Sequence, residues 1–140
     1  MRAEVNGVGI EVEVRGEGKP VVLLHGFPDS GRLWRHQVAA LTGVGYRTVV
    51  PDQRGYGRSD KPADVSAYSL PFLVADVIGM LDALSIERAH IIGHDWGAAV
   101  AWAVAIFAPD RVDHLVAMSV GHPSAFAAGG KEQRERSSYM

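Results

Sequence analysis

The 140-residue chain has no cysteine, which removes disulfides, thiolate metal sites and a cysteine nucleophile at once and is compatible with a reducing compartment. It has no run of about 18 apolar residues, and its opening, MRAEVNGVGIEVEVRG, lacks an apolar segment behind a basic start. Neither a membrane span nor a signal peptide is supported, so the chain reads as soluble and cytoplasmic. Neither sign of charge is in excess: 14 Lys and Arg against 16 Asp and Glu leave a net charge of −2. That balance argues against a nucleic-acid or anionic-membrane partner and favours small neutral ones. The glycines of DQRGYGRSD, from Asp52, lack the Walker lysine spacing, and no G-x-G-x-x-G follows a strand, so no nucleotide site is expected. No cofactor and no metal are called for. What is present, 47% hydrophobic and 21% charged residues, is the composition of one globular domain.

Ile10, Val12 and Val14 alternate with Glu11, Glu13 and Arg15 behind an Asn6-Gly7 turn signal, which predicts an antiparallel hairpin. VVLLHG from Val21, YRTVVPD from Tyr46, AHIIG from Ala89 and VDHLVAMSV from Val112 are short β-branched runs, as expected of strands covered on both faces of a parallel sheet. Helical spacing joins Leu70, Leu73, Val74, Val77, Ile78, Leu81 and Leu84, with Ser69 as N-cap and Pro71 in the first turn. A weaker helix runs from Ser30 to Leu41 with Trp34, Val38 and Leu41 on one side. A third, apolar and small, runs from Gly97 to Ala108 and stops at Pro109. Strands alternating with helices predict an open α/β sheet, mostly parallel, with right-handed crossovers. From Gly121 the chain turns glycine-rich and then charged, which reads either as a disordered tail or as the start of a further element.

Gly93-His94-Asp95-Trp96-Gly97 has the form G-x-D-x-G between a predicted strand and a predicted helix. This is the frame of the nucleophile elbow G-x-S-x-G with aspartate in the serine position. The flanking glycines relieve crowding at a sharp reversal, so that the central side chain projects above the carboxyl edge of the sheet, where open α/β sheets bind ligands. A serine there needs an adjacent base, whereas a carboxylate with a reference pKa of about 3.9 is already ionised. It suits attack on a saturated carbon with a strained or good leaving group, giving an alkyl ester that water must then cleave. That second step builds an oxyanion, for which Trp96 N–H and an amide from the loop after VVLLHG are candidate donors. The bland alternative for Asp95 is a helix N-cap, a position aspartate favours.

That loop reads His25-Gly26-Phe27-Pro28. HGFP, PDQRGYGRSD from Pro51 and GHDWGA from Gly93, in this order and spacing, resemble the α/β-hydrolase fold family and, within it, the epoxide hydrolases. The resemblance implies that Asp95 is the nucleophile, that the amides of Phe27 and Trp96 form the oxyanion hole, and that Phe27, Pro28 and Trp96 line the substrate pocket. The partners it implies are a small apolar epoxide or halide and water. Residues 1–120 then correspond to the N-terminal part of the hydrolase core, with about six strands, and 121–140 to the start of a helical cap or a tail. In this fold the acid and the histidine follow the nucleophile on later strand-end loops. Only 45 residues follow Asp95, so the chain is expected to be an N-terminal portion lacking both, together with the C-terminal strands and the cap tyrosines; Tyr139 cannot be assigned that role. Its last strand should then be an open, self-associating edge, and without a base the ester should stall.

Hydrolytic dehalogenation is the nearest rival, since it uses the same aspartate. Halide-binding relatives commonly carry asparagine at the position of Phe27, and fluoroacetate-cleaving relatives arginine at that of Trp96; both departures favour the epoxide. A serine-type esterase is disfavoured by Asp95 itself. A non-enzymatic fragment pairing through its open sheet edge is the rival of another class. His25 reads as a loop-fixing residue, His94 as a neighbour of the elbow and not its base, and Gly26, Gly93 and Gly97 as structural. His36, His90 and His114 read as structural, His122 as a loop residue able to face the pocket, and Trp34 and Trp102 as core.

Overall fold

The computed structural model describes residues 1–138. Strand β1 (Arg2–Val5) and strand β2 (Val8–Arg15) form the antiparallel hairpin, and Asn6 and Gly7 both take positive φ, 49° and 75°. That pair of left-handed residues matches the right-handed twist of the strands they join. β3 (Lys19–Leu24), β4 (Tyr46–Pro51), β5 (Ala89–His94) and β6 (Val112–Met118) complete a six-stranded sheet in the order β1-β2-β4-β3-β5-β6. β2 pairs antiparallel with β4, while β4-β3, β3-β5 and β5-β6 are parallel.

The order explains where a site must lie. From β3 the chain crosses to β4 on one side, then returns to β5 on the other, so the loops leaving β3 and β5 diverge above a shared gap. Such a switch point is where open α/β sheets hold ligands. The crossovers also set the faces. α1 (Arg35–Gly43) and Trp34 cover Val21, Leu23 and Val50 on one face. α2 (Leu70–Ala83) and α3 (Trp96–Phe107) pack Val77, Met80, Leu81, Val100 and Val104 against Val22, Leu24, Val49 and Ile91 on the other. Leu23, Leu24, Leu81 and Ile91 are fully buried, each worth about 1.5–3 kcal/mol relative to exposure.

Three local expectations are corrected. The helix expected from Ser30 to Leu41 begins as a 3-10 turn, Gly31–Trp34, before α1. Ser69 sits at the N-cap of α2 but makes no side-chain cap bond; Asp64, five residues earlier, caps the preceding 3-10 turn by accepting from Ser66 N at 2.9 Å. Trp102 is only partly buried, its Nε1 donating to Val120 O at 3.1 Å, whereas Trp34 is core. Beyond β6 the chain is helical through α4 (Pro123–Ala128) and α5 (Gly130–Arg136), neither with a buried residue. Tyr139 lies outside the described residues. Among those described, no helix is long and apolar enough to cross a membrane.

β6 is an edge strand, with Val116 and Met118 47% and 37% exposed. Its one charged side chain, Asp113, is taken by Arg88, so no edge lysine or proline blocks pairing with another chain. Concentration-dependent self-association is expected in sedimentation velocity, reduced by Val116→Lys; a wild-type chain that stays monomeric at every concentration contradicts it.

Candidate active site

The reversal after β5 places Asp95 at φ 57°, ψ −125°, a conformation costly for a residue with a Cβ and held only where the surroundings over-determine it. The surroundings here are three glycines. A Cβ on Gly97 would lie 2.1 Å from Leu24 O, and one on Gly93 would lie 2.3 Å from Gly97 O. Gly26 is as crowded from the other side, its added Cβ falling 2.4 Å from Asp95 Cβ. The loop after β3 therefore presses directly onto the elbow.

That approach sets the electrostatics. Asp95 occupies the N-cap position of α3, yet its side chain caps nothing in that helix. Instead Oδ2 accepts the amide of Phe27 at 3.0 Å, from 68 residues away in sequence. Among the described residues Oδ1 has no hydrogen-bond partner, and neither has the amide of Trp96. One carboxylate oxygen is thus anchored by a main-chain donor and the other is free.

The loop is itself fixed by His25, which is fully buried. Its Nε2 accepts from Gln53 N at 3.0 Å and its Nδ1 lies 2.9 Å from Gly26 O, so Nδ1 carries the proton. The Gln53 side chain donates back to His25 O, and the Tyr56 ring meets the imidazole edge-on at 5.0 Å. PDQRGYGRSD is therefore the clamp on the HGFP loop, with the Asp52 carboxylate accepting from Gly31 N and Arg58 N. Burial lowers the pKa of His25 below the ordinary 6.5. The folded state holds it neutral and the unfolded chain binds its proton first, so its contribution to stability is complete above about pH 6.5 and is lost as the pH falls below it. The thermal midpoint of wild type should drop between pH 7.5 and 5.5 more steeply than that of His25→Gln; parallel curves would contradict this.

A cavity of about 270 Å³ opens beside the elbow, lined by Gln53, Arg54, Tyr56, Tyr68, Leu73, Trp96 and Val100. Tyr56 is raised above the ordinary phenol range, first by burial and then by the charge of Asp95. Trp96 reaches this cavity; Phe27 and Pro28 are not among its lining residues, and Phe27 is 68% exposed. His122 is not in the lining either. Its Nδ1 accepts from Ser124 N at 3.2 Å, capping α4, and its ring packs edge-on against Trp102.

Sequence reading missed the ion pair behind this wall. Arg54 Nε and Nη2 donate to the two Asp76 oxygens at 2.7 Å each, with both residues buried. Arg54 also donates to Ala67 O and Asn6 O, and Asn6 Nδ2 donates to Asp76 and to Phe72 O. The one signal available was a lone acid on the otherwise apolar face of α2.

The family model described as alpha/beta hydrolase fold matches residues 19–139. The chain belongs to that family. It is 43% identical to an epoxide hydrolase of Caballeronia sordidicola, over 96% of this chain and 43% of that protein, and 55% identical to epoxide hydrolase B of Mycobacterium tuberculosis, over 74% and 29%. The crystal structure of an epoxide hydrolase from Vigna radiata superposes with a TM-score of 0.84 at 42% identity, covering 86% of this chain and 38% of that one. This α/β-hydrolase chain spans less than half the length of these epoxide hydrolases.

Proposed function

We propose that this chain carries the nucleophile and part of the oxyanion hole of an epoxide hydrolase. The observation that supports it best is the Phe27 amide on Asp95 Oδ2 with Oδ1 left free. Oδ1 attacks an epoxide carbon, the ring C–O bond breaks toward oxygen, and that oxygen takes up a proton. Oδ2 becomes the ester carbonyl oxygen, already hydrogen-bonded to Phe27. Water then adds to the carboxyl carbon, negative charge develops on Oδ2, and collapse releases a vicinal diol and restores the carboxylate. A second donor from the Trp96 amide would strengthen that step, each such donor being worth roughly 3–4 kcal/mol. The cavity beside Trp96 offers an apolar site for the hydrocarbon part of the substrate.

No histidine hydrogen-bonds the Asp95 carboxylate among the described residues. General-base help is typically worth about 10²–10⁴-fold, so the 140-residue chain is expected to accumulate the ester. Incubation with styrene oxide followed by intact mass and peptide mapping should show one epoxide equivalent on Asp95. Labelling elsewhere, or none, would overturn the assignment, and sustained turnover would overturn the stall. Alkylation by 1-bromobutane but not by styrene oxide would favour the dehalogenase reading.

A further inference from the structure

At the far end of β5 from Asp95, the sheet brings together two histidines that the elbow does not use. β5 and β6 pair regularly from Ile91↔Leu115 to His94↔Met118, but Ala89 pairs with Val112. One extra β6 residue is therefore accommodated, and both Asp113 and His114 lie opposite His90. An irregularity of this kind re-aims side chains. Asp113 turns to Arg88, its Oδ1 2.8 Å from Nε, while His114 turns to His90. The two Nδ1 atoms are 3.2 Å apart, with ring centroids at 5.1 Å.

We propose that His90 and His114 form a two-histidine site for a divalent transition metal such as Zn²⁺, Ni²⁺ or Cu²⁺. Two imidazole nitrogens each about 2.0–2.1 Å from a tetrahedral ion sit about 3.3 Å from one another. The observed separation is already that bite, so a small rotation of each ring aims both lone pairs at one point. Nitrogen donors select zinc, nickel and copper over magnesium and calcium, which take oxygen. His114 is exposed and His90 partly so, leaving solvent access to the pair. The Tyr46 ring packs edge-on to His90 at 5.9 Å and buttresses the inner imidazole. Among the described residues no group of three or more histidines or acids is placed to hold a metal. Water would therefore complete the coordination, and affinity in the micromolar range is expected rather than that of a closed structural site. A bound ion would tie the edge strand β6 to β5.

The test is titration of the full chain with ZnCl₂ at pH 7.5 by calorimetry, with the thermal midpoint followed in parallel. Wild type should bind one equivalent, and the midpoint should rise, since an ion bound only by the folded state stabilises it. His114→Gln, at an exposed position, should weaken binding by an order of magnitude or more, and His90→Gln likewise. His36→Gln and His122→Gln should bind as wild type does. If His114→Gln binds zinc as wild type does, or if wild type binds none at millimolar zinc, the site is refuted.

Discussion

Asparagine at position 95 is expected to abolish covalent capture of an epoxide while leaving the fold intact. The amide has nearly the shape of the carboxylate, so the elbow at φ 57°, ψ −125°, held by the same glycine contacts, survives. Its carbonyl oxygen can still accept from Phe27 N–H, as Oδ2 does in wild type. What is lost is the negative charge on which the proposed attack by this side chain depends. Under conditions where wild type becomes fully alkylated by styrene oxide, Asp95→Asn should carry no detectable adduct by intact mass. Its circular dichroism and melting midpoint should match wild type. An adduct formed at the wild-type rate in this variant would place the reactive group elsewhere.

The largest stability effect is expected at Asp76. Its removal leaves the Arg54 guanidinium, 4% exposed, charged in a dry site, and breaking a buried pair from one side typically costs about 3–5 kcal/mol. Asp76→Ala should lower the free energy of urea unfolding by that order. Replacing both partners with hydrocarbon of similar volume, Arg54→Met with Asp76→Leu, should recover most of the loss, because no uncompensated charge remains. A double variant as unstable as the single one would mean that the bonds to Asn6 O and Ala67 O, rather than the charge pair, carry the stability. The cluster also bears on chemistry. Arg54 lines the cavity at Trp96, and its neighbour Gln53 holds His25, so loosening this loop loosens the HGFP turn behind Asp95.

Local chemistry was legible where a few adjacent residues dictate backbone shape. Asn6-Gly7 announced the hairpin turn, and Gly93 to Gly97 announced the elbow, because both features rest on positive φ or on the absence of a Cβ. The frame HGFP, DQRGYGRSD and GHDWGA also pointed to the family that the chain belongs to. The direction of the Phe27 ring was not legible for a different reason: a motif says that an amide turns inward but not where the attached side chain then goes. The Arg54–Asp76 pair spans 22 residues and its link to Asn6 spans 48, distances over which periodicity carries no information.

The sequence by itself determined that a carboxyl side chain would stand at a glycine-flanked bend between a strand and a helix, since that depends only on sterics between near neighbours. Only the tertiary structure decided which carboxylate oxygen meets the Phe27 amide, which residues wall the cavity, and that His90 faces His114. Those outcomes follow from strand order and register, and these are set by how the whole sheet buries its two faces rather than by any short stretch of chain.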